Sequence, residues 1–211
     1  MAQGKFVVTG RTGIGKSTLL RGLALFAEDL GLSYFAIFTP EVREGKRRAG
    51  FAIESVTFDP QHLGTPAQEG GSPAKIKRLT PFAHLIQQAG DSSPPVEHQN
   101  RVGRYTVDPS VIGDIIVTPL QAILHAGKIP LVFFDEVGLM YLKHAPFLDT
   151  LRNLLKTPVT AFISLADGTD PAIQEEIRAH PSVETFALTL ENRDALLNTF
   201  IAQLVDQAAP E

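Results

Sequence analysis

"VVTGRTGIGKSTLL", residues 7–20, decides how the rest of the chain is read. Three glycines (Gly10, Gly13, Gly15) fall within six positions, followed by a lysine, a hydroxyl residue and leucines. Ordering so many glycines costs backbone entropy, so the turn they make must need bare backbone. The spacing G-x-x-x-x-G-K-S, from Gly10 to Ser17, fits a turn whose successive N–H groups converge on phosphate oxygens. An apolar run, Lys5 to Thr9, precedes it as a short buried strand. A helical pattern follows from Lys16 to about Leu30, with Leu19, Leu20, Leu23, Phe26, Ala27 and Leu30 on one face and Gly31 as the stop. The positive end of that helix adds to the attraction for an anion. Gly10, Arg11, Thr12, Gly13, Ile14, Gly15, Lys16, Ser17 and Thr18 are therefore the expected nucleotide loop. Lys16 is expected to reach the β- and γ-phosphates, and the Ser17 hydroxyl to ligate Mg²⁺.

Such a loop needs an acid at the end of a second buried strand. "IPLVFFDEVG" (129–138) is a near-continuous apolar run of the kind buried on both faces of a parallel sheet. Asp135 at its end is the expected metal holder, and Glu136 the group that orients and deprotonates the attacking water. "DEVG" (135–138) also satisfies D-x-x-G, a GTPase switch motif. Leu139 stands where such a switch carries glutamine, and "ENRD" (191–194) lacks the lysine of a base-reading N-K-x-D. Both departures argue against a GTPase.

Composition sets outer bounds. The 211 residues suffice for one large domain. Nineteen basic against 23 acidic residues give a net charge of −4, which lends no support to general nucleic-acid or membrane-surface binding. Without cysteine there are no disulfides or zinc–thiolate sites. The six histidines (62, 84, 98, 125, 144, 180) show no paired ligand spacing. No apolar run approaches a membrane span, and the N-terminus lacks the pattern of a signal peptide, so a cytoplasmic protein without a membrane partner is expected.

Organisation follows from punctuation. "SYFAIFTPEV" (33–42) and "RAGFAIESVTF" (48–58) read as strands joined by a hairpin turn at Gly45. Residues 59–100 are rich in proline and glycine and read as a long surface insertion, with only "FAHLIQQAG" (82–90) helical. "VGRYTV" (102–107) resumes as a strand, and 109–127 is a helix broken near Pro119. Beyond 129–138, helices and strands alternate at 144–155, 159–166, 171–179, 183–189 and 192–206, the mark of an α/β layered fold. Phe51, Phe58, Phe133, Phe134 and Phe162 are expected in the core.

"TPEVREGKRRAGF" (39–51) carries Arg43, Lys46, Arg47 and Arg48. One arginine here, Arg43 or Arg48, is expected to neutralise charge on the transferring phosphoryl group, because its planar fork engages two oxygens. With this stretch, "TGRTGIGKSTLL", "RVGRYTVD" (101–108), "LVFFDEVGLM" and "EIRAHPSVETFALTLENRDAL" (176–196), the chain resembles the cancer-related nucleoside triphosphatases. The resemblance spans nearly everything outside 59–100. It implies a RecA-like core and slow hydrolysis of ATP, GTP and other nucleoside triphosphates with little base discrimination. It also implies that Gly10, Gly13, Gly15, Lys16, Ser17 and Thr18 bind nucleotide and that Asp135 and Glu136 serve metal and water. The family usually has lysine and glutamate where this chain has Leu139 and Tyr141. Ser164 lies where related folds place a γ-phosphate sensor. Asn192 and Arg193 match a family motif, though a helix cap and a structural arginine explain them almost as well.

The expected architecture is a single P-loop NTPase domain over 1–211, with a mostly parallel central sheet flanked by helices. A β-hairpin-rich excursion spans 39–108 and contains the 59–100 insertion. The expected activity is Mg²⁺-dependent hydrolysis of the β–γ bond, with Glu136, Lys16, Arg43 and Arg48 catalytic and Ser17 and Asp135 on the metal. The alternatives are a small P-loop kinase, with the excursion closing over a phosphate acceptor, and a nucleotide-gated module that binds protein or RNA. Residues 59–100 offer the surface for a protein partner.

Overall fold

The computed structural model describes residues 4–60, 75–86 and 98–209. Its strands in chain order are β1 (Lys5–Thr9), β2 (Tyr34–Phe38), β3 (Glu41–Glu44), β4 (Arg47–Phe58) and β5 (Lys75–Leu85). β6 (Arg101–Val102), β7 (Tyr105–Val107), β8 (Leu131–Val137), β9 (Thr160–Leu165) and β10 (Val183–Ala187) follow. One sheet holds them all in the order β10-β1-β9-β8-β2-β4-β5-β7-β6, with β3 paired to β4. β10, β1, β9, β8 and β2 run parallel, and β4 turns antiparallel against β2.

Alternation along the parallel strands feeds two cores. Phe6, Val8, Tyr34, Ala36, Phe38, Leu131, Phe133 and Phe162 face α1 (Lys16–Asp29) and the C-terminal helix Arg193–Ala208. Phe6, Phe162, Phe133 and Tyr34 form a ladder across neighbouring strands, with ring centroids 5.0, 5.4 and 5.5 Å apart. Each such contact adds about 0.5–1.5 kcal/mol to the burial of the rings themselves. Val7, Phe35, Ile37, Val132, Phe134 and Ile163 line the opposite core. It is covered by α2 (Pro109–Ile112), a π turn (Gly113–Val117), α3 (Thr118–Ala126) and α4 (Pro146–Lys156). α5 (Pro171–Arg178) and α6 (Arg193–Ala208) complete the alternation.

The mixed region departs from expectation. Thr39 and Pro40 break 33–42 into β2 and β3, because Pro40 cannot donate to a ladder. The helix expected over 82–90 is absent from its described part: Phe82 to Leu85 end β5, which pairs with β4 along its length. Pro81 sits beside a register shift at Phe51 and Ala52, the kind of irregularity that tolerates proline in a sheet. There Gly50 lies so close to β5 that an added Cβ would stand 2.0 Å from the Ala83 carbonyl oxygen. The remainder of the insertion, 61–74 and 87–97, lies outside the described residues. The strand expected over 102–107 is a tight hairpin of β6 and β7 turning at Gly103.

Pro109–Ala126 runs on without the break expected at Pro119, which occupies the first turn of α3, where the lack of an N–H is tolerated. Contrary to the sequence expectation, this 18-residue run reaches membrane-span length, with a mean hydropathy of 1.2. Its Ile112, Ile116, Val117 and Leu120 are buried in the core beneath the sheet.

Candidate active site

The C-terminal ends of the parallel strands converge on one crevice, the usual ligand position in an open α/β sheet. β1 ends in the glycine turn, and α1 starts directly after Gly15. Gly10, Gly13 and Gly15 hold φ of +142°, +80° and +113°, conformations in which a side chain is strained. No side chain caps the helix start, so its first-turn N–H groups lack a side-chain partner. Thr12, Gly13, Gly15, Lys16, Ser17 and Thr18 border a cavity of about 360 Å³ there. Gly10, Arg11 and Ile14 do not. The carbonyls of Gly10 and Arg11 accept from Lys16 Nζ at 2.6 and 3.4 Å, and Ile14 is buried in the core.

β8 brings the acid pair to the same cavity. Lys16 Nζ lies 3.6 Å from Glu136 Oε2. Burial raises the Glu136 carboxyl above its ordinary range, the Lys16 ammonium opposes the rise, and Asp135 adds to it. Asp135 is only 3% exposed, and Ser164 Oγ donates to its Oδ1 at 2.6 Å. β9, which lies between β1 and β8, supplies that serine. Ser164 therefore braces Asp135 in this structure. The Asp135–Glu136 peptide bond is cis.

Two residues that the sequence reading passed over join the site. Thr39, just past β2, donates from Oγ1 to the Asp135 carbonyl at 2.8 Å and meets the Tyr141 hydroxyl at 2.5 Å. Asp167, just past β9, accepts from the Thr12 amide at 2.8 Å. Both follow the C-terminal end of an apolar strand, a positional signal that "FAIFTP" and "AFISLAD" do carry.

The β3–β4 hairpin closes the crevice with Glu41, Arg48 and Phe51. The two candidate arginines part company. Arg48 borders the cavity, with its guanidinium carbon 5.3 Å from the Phe51 ring centre. It pairs with Glu41 and lies beside the Tyr105 hydroxyl, yet its buried Nε completes no hydrogen bond. Proximity to Tyr105 and Glu41 raises its pKa further. Arg43 is 57% exposed, binds the other side of Glu41 and does not border the cavity. Phe51 is only partly buried, a correction to its assignment to the core.

Ser17 and Asp135 present oxygen donors to one cavity, the chemistry that a hard divalent cation takes. Among the described residues no group of three or more His, Asp or Glu forms a metal cage.

A second cavity of about 370 Å³ shares Gly15 and Thr18 and extends past Gly22 to Leu188, Arg193 and Leu197. Asn192 does not cap α6 with its side chain. Its Oδ1 accepts from the Thr189 amide and its Nδ2 donates to the Ala187 carbonyl, each at 2.8 Å, which fixes the turn that presents Arg193.

A glycine loop at a helix start, a lysine above it and an acid pair on a neighbouring buried strand define a P-loop enzyme of nucleoside triphosphates. A family model described as NTPase matches residues 5–201. A nucleoside-triphosphatase THEP1 from Methanopyrus kandleri is 31% identical over 201 residues, covering 95% of this chain and 94% of its own. The human cancer-related nucleoside-triphosphatase is 30% identical over 195 residues, 90% of each chain. The crystal structure of THEP1 from Aquifex aeolicus superposes with a TM-score of 0.67 at 25% identity, covering 95% of this chain and 98% of its own. The solution structure of the human protein gives 0.66 at 27% identity, covering both chains fully. The chain belongs to this NTPase family and is a nucleoside-triphosphate hydrolase.

Proposed function

We propose that the enzyme is Mg²⁺-dependent and cleaves the β–γ bond of ATP, GTP and other nucleoside triphosphates with little discrimination among bases. The observation that carries this reading is the 3.6 Å approach of Lys16 to Glu136 inside the cavity that Ser17 and Asp135 also border. Lys16 holds the β- and γ-phosphates, exchanging its loop carbonyls for phosphate oxygens. Glu136 positions the water and takes its proton, a task favoured by a carboxyl with a raised pKa. Arg48 shares the charge that develops on the γ-phosphoryl group. Ser17 and Asp135 hold Mg²⁺, which when bound neutralises phosphate charge, while Ser164 and Thr39 fix the Asp135 strand end.

Broad base use is supported by the neighbouring cavity. Its Leu188, Leu197 and Arg193 suit stacking and apolar contact, which every base accepts, more than edge reading. The chain works as one P-loop domain whose 39–108 excursion serves the site through Arg48. The test is phosphate release from ATP, GTP, CTP and UTP, with and without Mg²⁺, for native and Lys16→Ala protein. Release that needs Mg²⁺, varies little with base and vanishes in the variant is expected. Metal-independent release, or full activity in Lys16→Ala, overturns the reading.

A further inference from the structure

Beside the nucleotide cavity lies a third space, of about 200 Å³, with a different chemistry. Phe51, Phe82, Val102, Met140 and Tyr141 supply large apolar side chains to its wall, and Leu139, 44% exposed, also borders it. Among the described residues no lysine, arginine or histidine borders it. Thr39, Phe51 and Glu136 border both spaces, so the two meet at the proposed general base. The Thr39 hydroxyl is already engaged with the Asp135 carbonyl and the Tyr141 hydroxyl. Among the described side chains, Glu136 is then the charged group left to address an occupant.

The wall is built in advance. Phe82 and Tyr141 stack at 5.4 Å, and Tyr141 packs on Phe134 at 5.7 Å and Phe147 at 5.3 Å. Burial keeps the Tyr141 phenol well above its ordinary pKa, so it remains neutral. A dry cavity of about 150 Å³ with apolar walls is enough to bind benzene. The present space therefore has room for one ring with a small substituent, and its aromatic and methionine walls suit an aromatic ring. A phosphorylated or nucleotide acceptor would meet no cation there among the described residues.

We propose that this cavity is an acceptor site for a neutral phenol, whose hydroxyl takes the place of water in front of Glu136. The phenol oxygen attacks the γ-phosphorus and the bond from that phosphorus to the β–γ bridging oxygen breaks. The nucleoside diphosphate leaves with that oxygen, and the phenolic proton passes to the Glu136 carboxylate. The products are an aryl phosphate and a nucleoside diphosphate. The inference rests on the assignment of Glu136 as base and adds an activity to the hydrolase.

The test uses γ-³²P-ATP and Mg²⁺ with phenol, 4-methylphenol or 4-ethylphenol, scoring labelled aryl phosphate and free phosphate in the same tubes. Toluene, which fits but carries no hydroxyl, is the binding control, followed by saturation-transfer NMR on the native protein. Expected are NMR contacts for the phenols and toluene, labelled aryl phosphate from the phenols alone, and at least a tenfold fall in the ratio of aryl phosphate to free phosphate in Leu139→Lys. That substitution sets a charge at the border of the cavity on a side chain outside the core. Absence of binding by every probe overturns the site, whatever the phosphate release. Binding with normal phosphate release but no aryl phosphate overturns the acceptor role and leaves the hydrolase reading intact. Failure of phosphate release with every triphosphate counts against the Glu136 assignment, and the transfer step falls with it. Aryl phosphate formed equally by Leu139→Lys places the acceptor elsewhere and also overturns the proposal.

Discussion

Glu136→Gln should separate binding from turnover. The substitution keeps the side chain's shape and removes its charge. At 3.6 Å from Lys16, the gross attraction is about 5 kcal/mol for an effective dielectric constant of about 20. Glu136 is 36% exposed, however, and solvent screening with side-chain ordering leaves a net value of about 1 kcal/mol or less. Against that loss stands the burial that raises the carboxyl pKa, a cost that the neutral amide avoids. The two effects nearly cancel, so Tm should move by no more than about 4 °C. Nucleotide affinity should hold or improve, since a repelling carboxylate is gone and Lys16 is freed for phosphate.

Turnover should fall about 10²- to 10⁴-fold, the usual share of a general base. That corresponds to about 3–5.5 kcal/mol of barrier. Single-turnover phosphate release, paired with titration of a fluorescent triphosphate, measures both quantities. A variant with kcat within about threefold of native would refute the assignment, because no positioned base contributes so little. Loss of binding with unchanged kcat would refute it as well, by making Glu136 a binding residue.

Arg48→Ala should lower kcat about 10²- to 10³-fold, as loss of a charge-stabilising donor does, whereas Arg43→Ala should stay within about fivefold, the scale of an exposed ion pair. Steady-state rates at saturating nucleotide compare the two. Because the base must be ionised and its pKa is raised, kcat/KM should fall with decreasing pH through a value above 4.5, and the residual activity of Glu136→Gln should lack that limb. For stability the sign is opposite: the raised carboxyl favours the fold at low pH and withdraws that contribution as pH rises through its folded value, measurable as a Tm difference from Glu136→Gln. Ser164→Ala removes the donor to the buried Asp135 oxygen, so the Mg²⁺ concentration for half-maximal phosphate release should rise about 10- to 100-fold.

The parallel half of the sheet was legible because its strands carry their reason locally. "LVFF" is apolar on both faces since both faces of β8 are covered, and no other element is needed to infer it. β5 was illegible for the converse reason. Lys75, Ile76, Lys77, Arg78 and Leu79 are all exposed, so burial leaves no period to read, and Pro81 argues against a strand. What makes it one is pairing with β4, set from afar by the close approach at Gly50. The glycine loop was legible for the same local reason as β8, and so was the acid pair. Ser164 on Asp135 was not, because the contact depends on β9 lying between β1 and β8, an order that no short stretch encodes.

The choice between Arg43 and Arg48 was also beyond the sequence, since both lie on one charged hairpin. Glu41 separates the two in space, because Arg48 takes one carboxylate oxygen and Arg43 the other, with Arg43 on the solvent side. Burial works against the Glu41 charge, yet the two guanidiniums hold its pKa below the ordinary range, so it stays an anion in competition with phosphate for Arg48. If Arg48 serves a triphosphate as proposed, it must be drawn partly away from Glu41. Arg43 makes that exchange inexpensive, because it keeps the carboxylate paired when Arg48 turns inward, at 2.7 Å through Nη2 and 3.1 Å through Nε. The unpaired, buried Nε of Arg48 supplies a donor that Glu41 does not use. On this geometry the outer arginine faces the counter-ion and the inner one the cavity, which is why two arginines five positions apart on the hairpin should respond so differently to the same substitution.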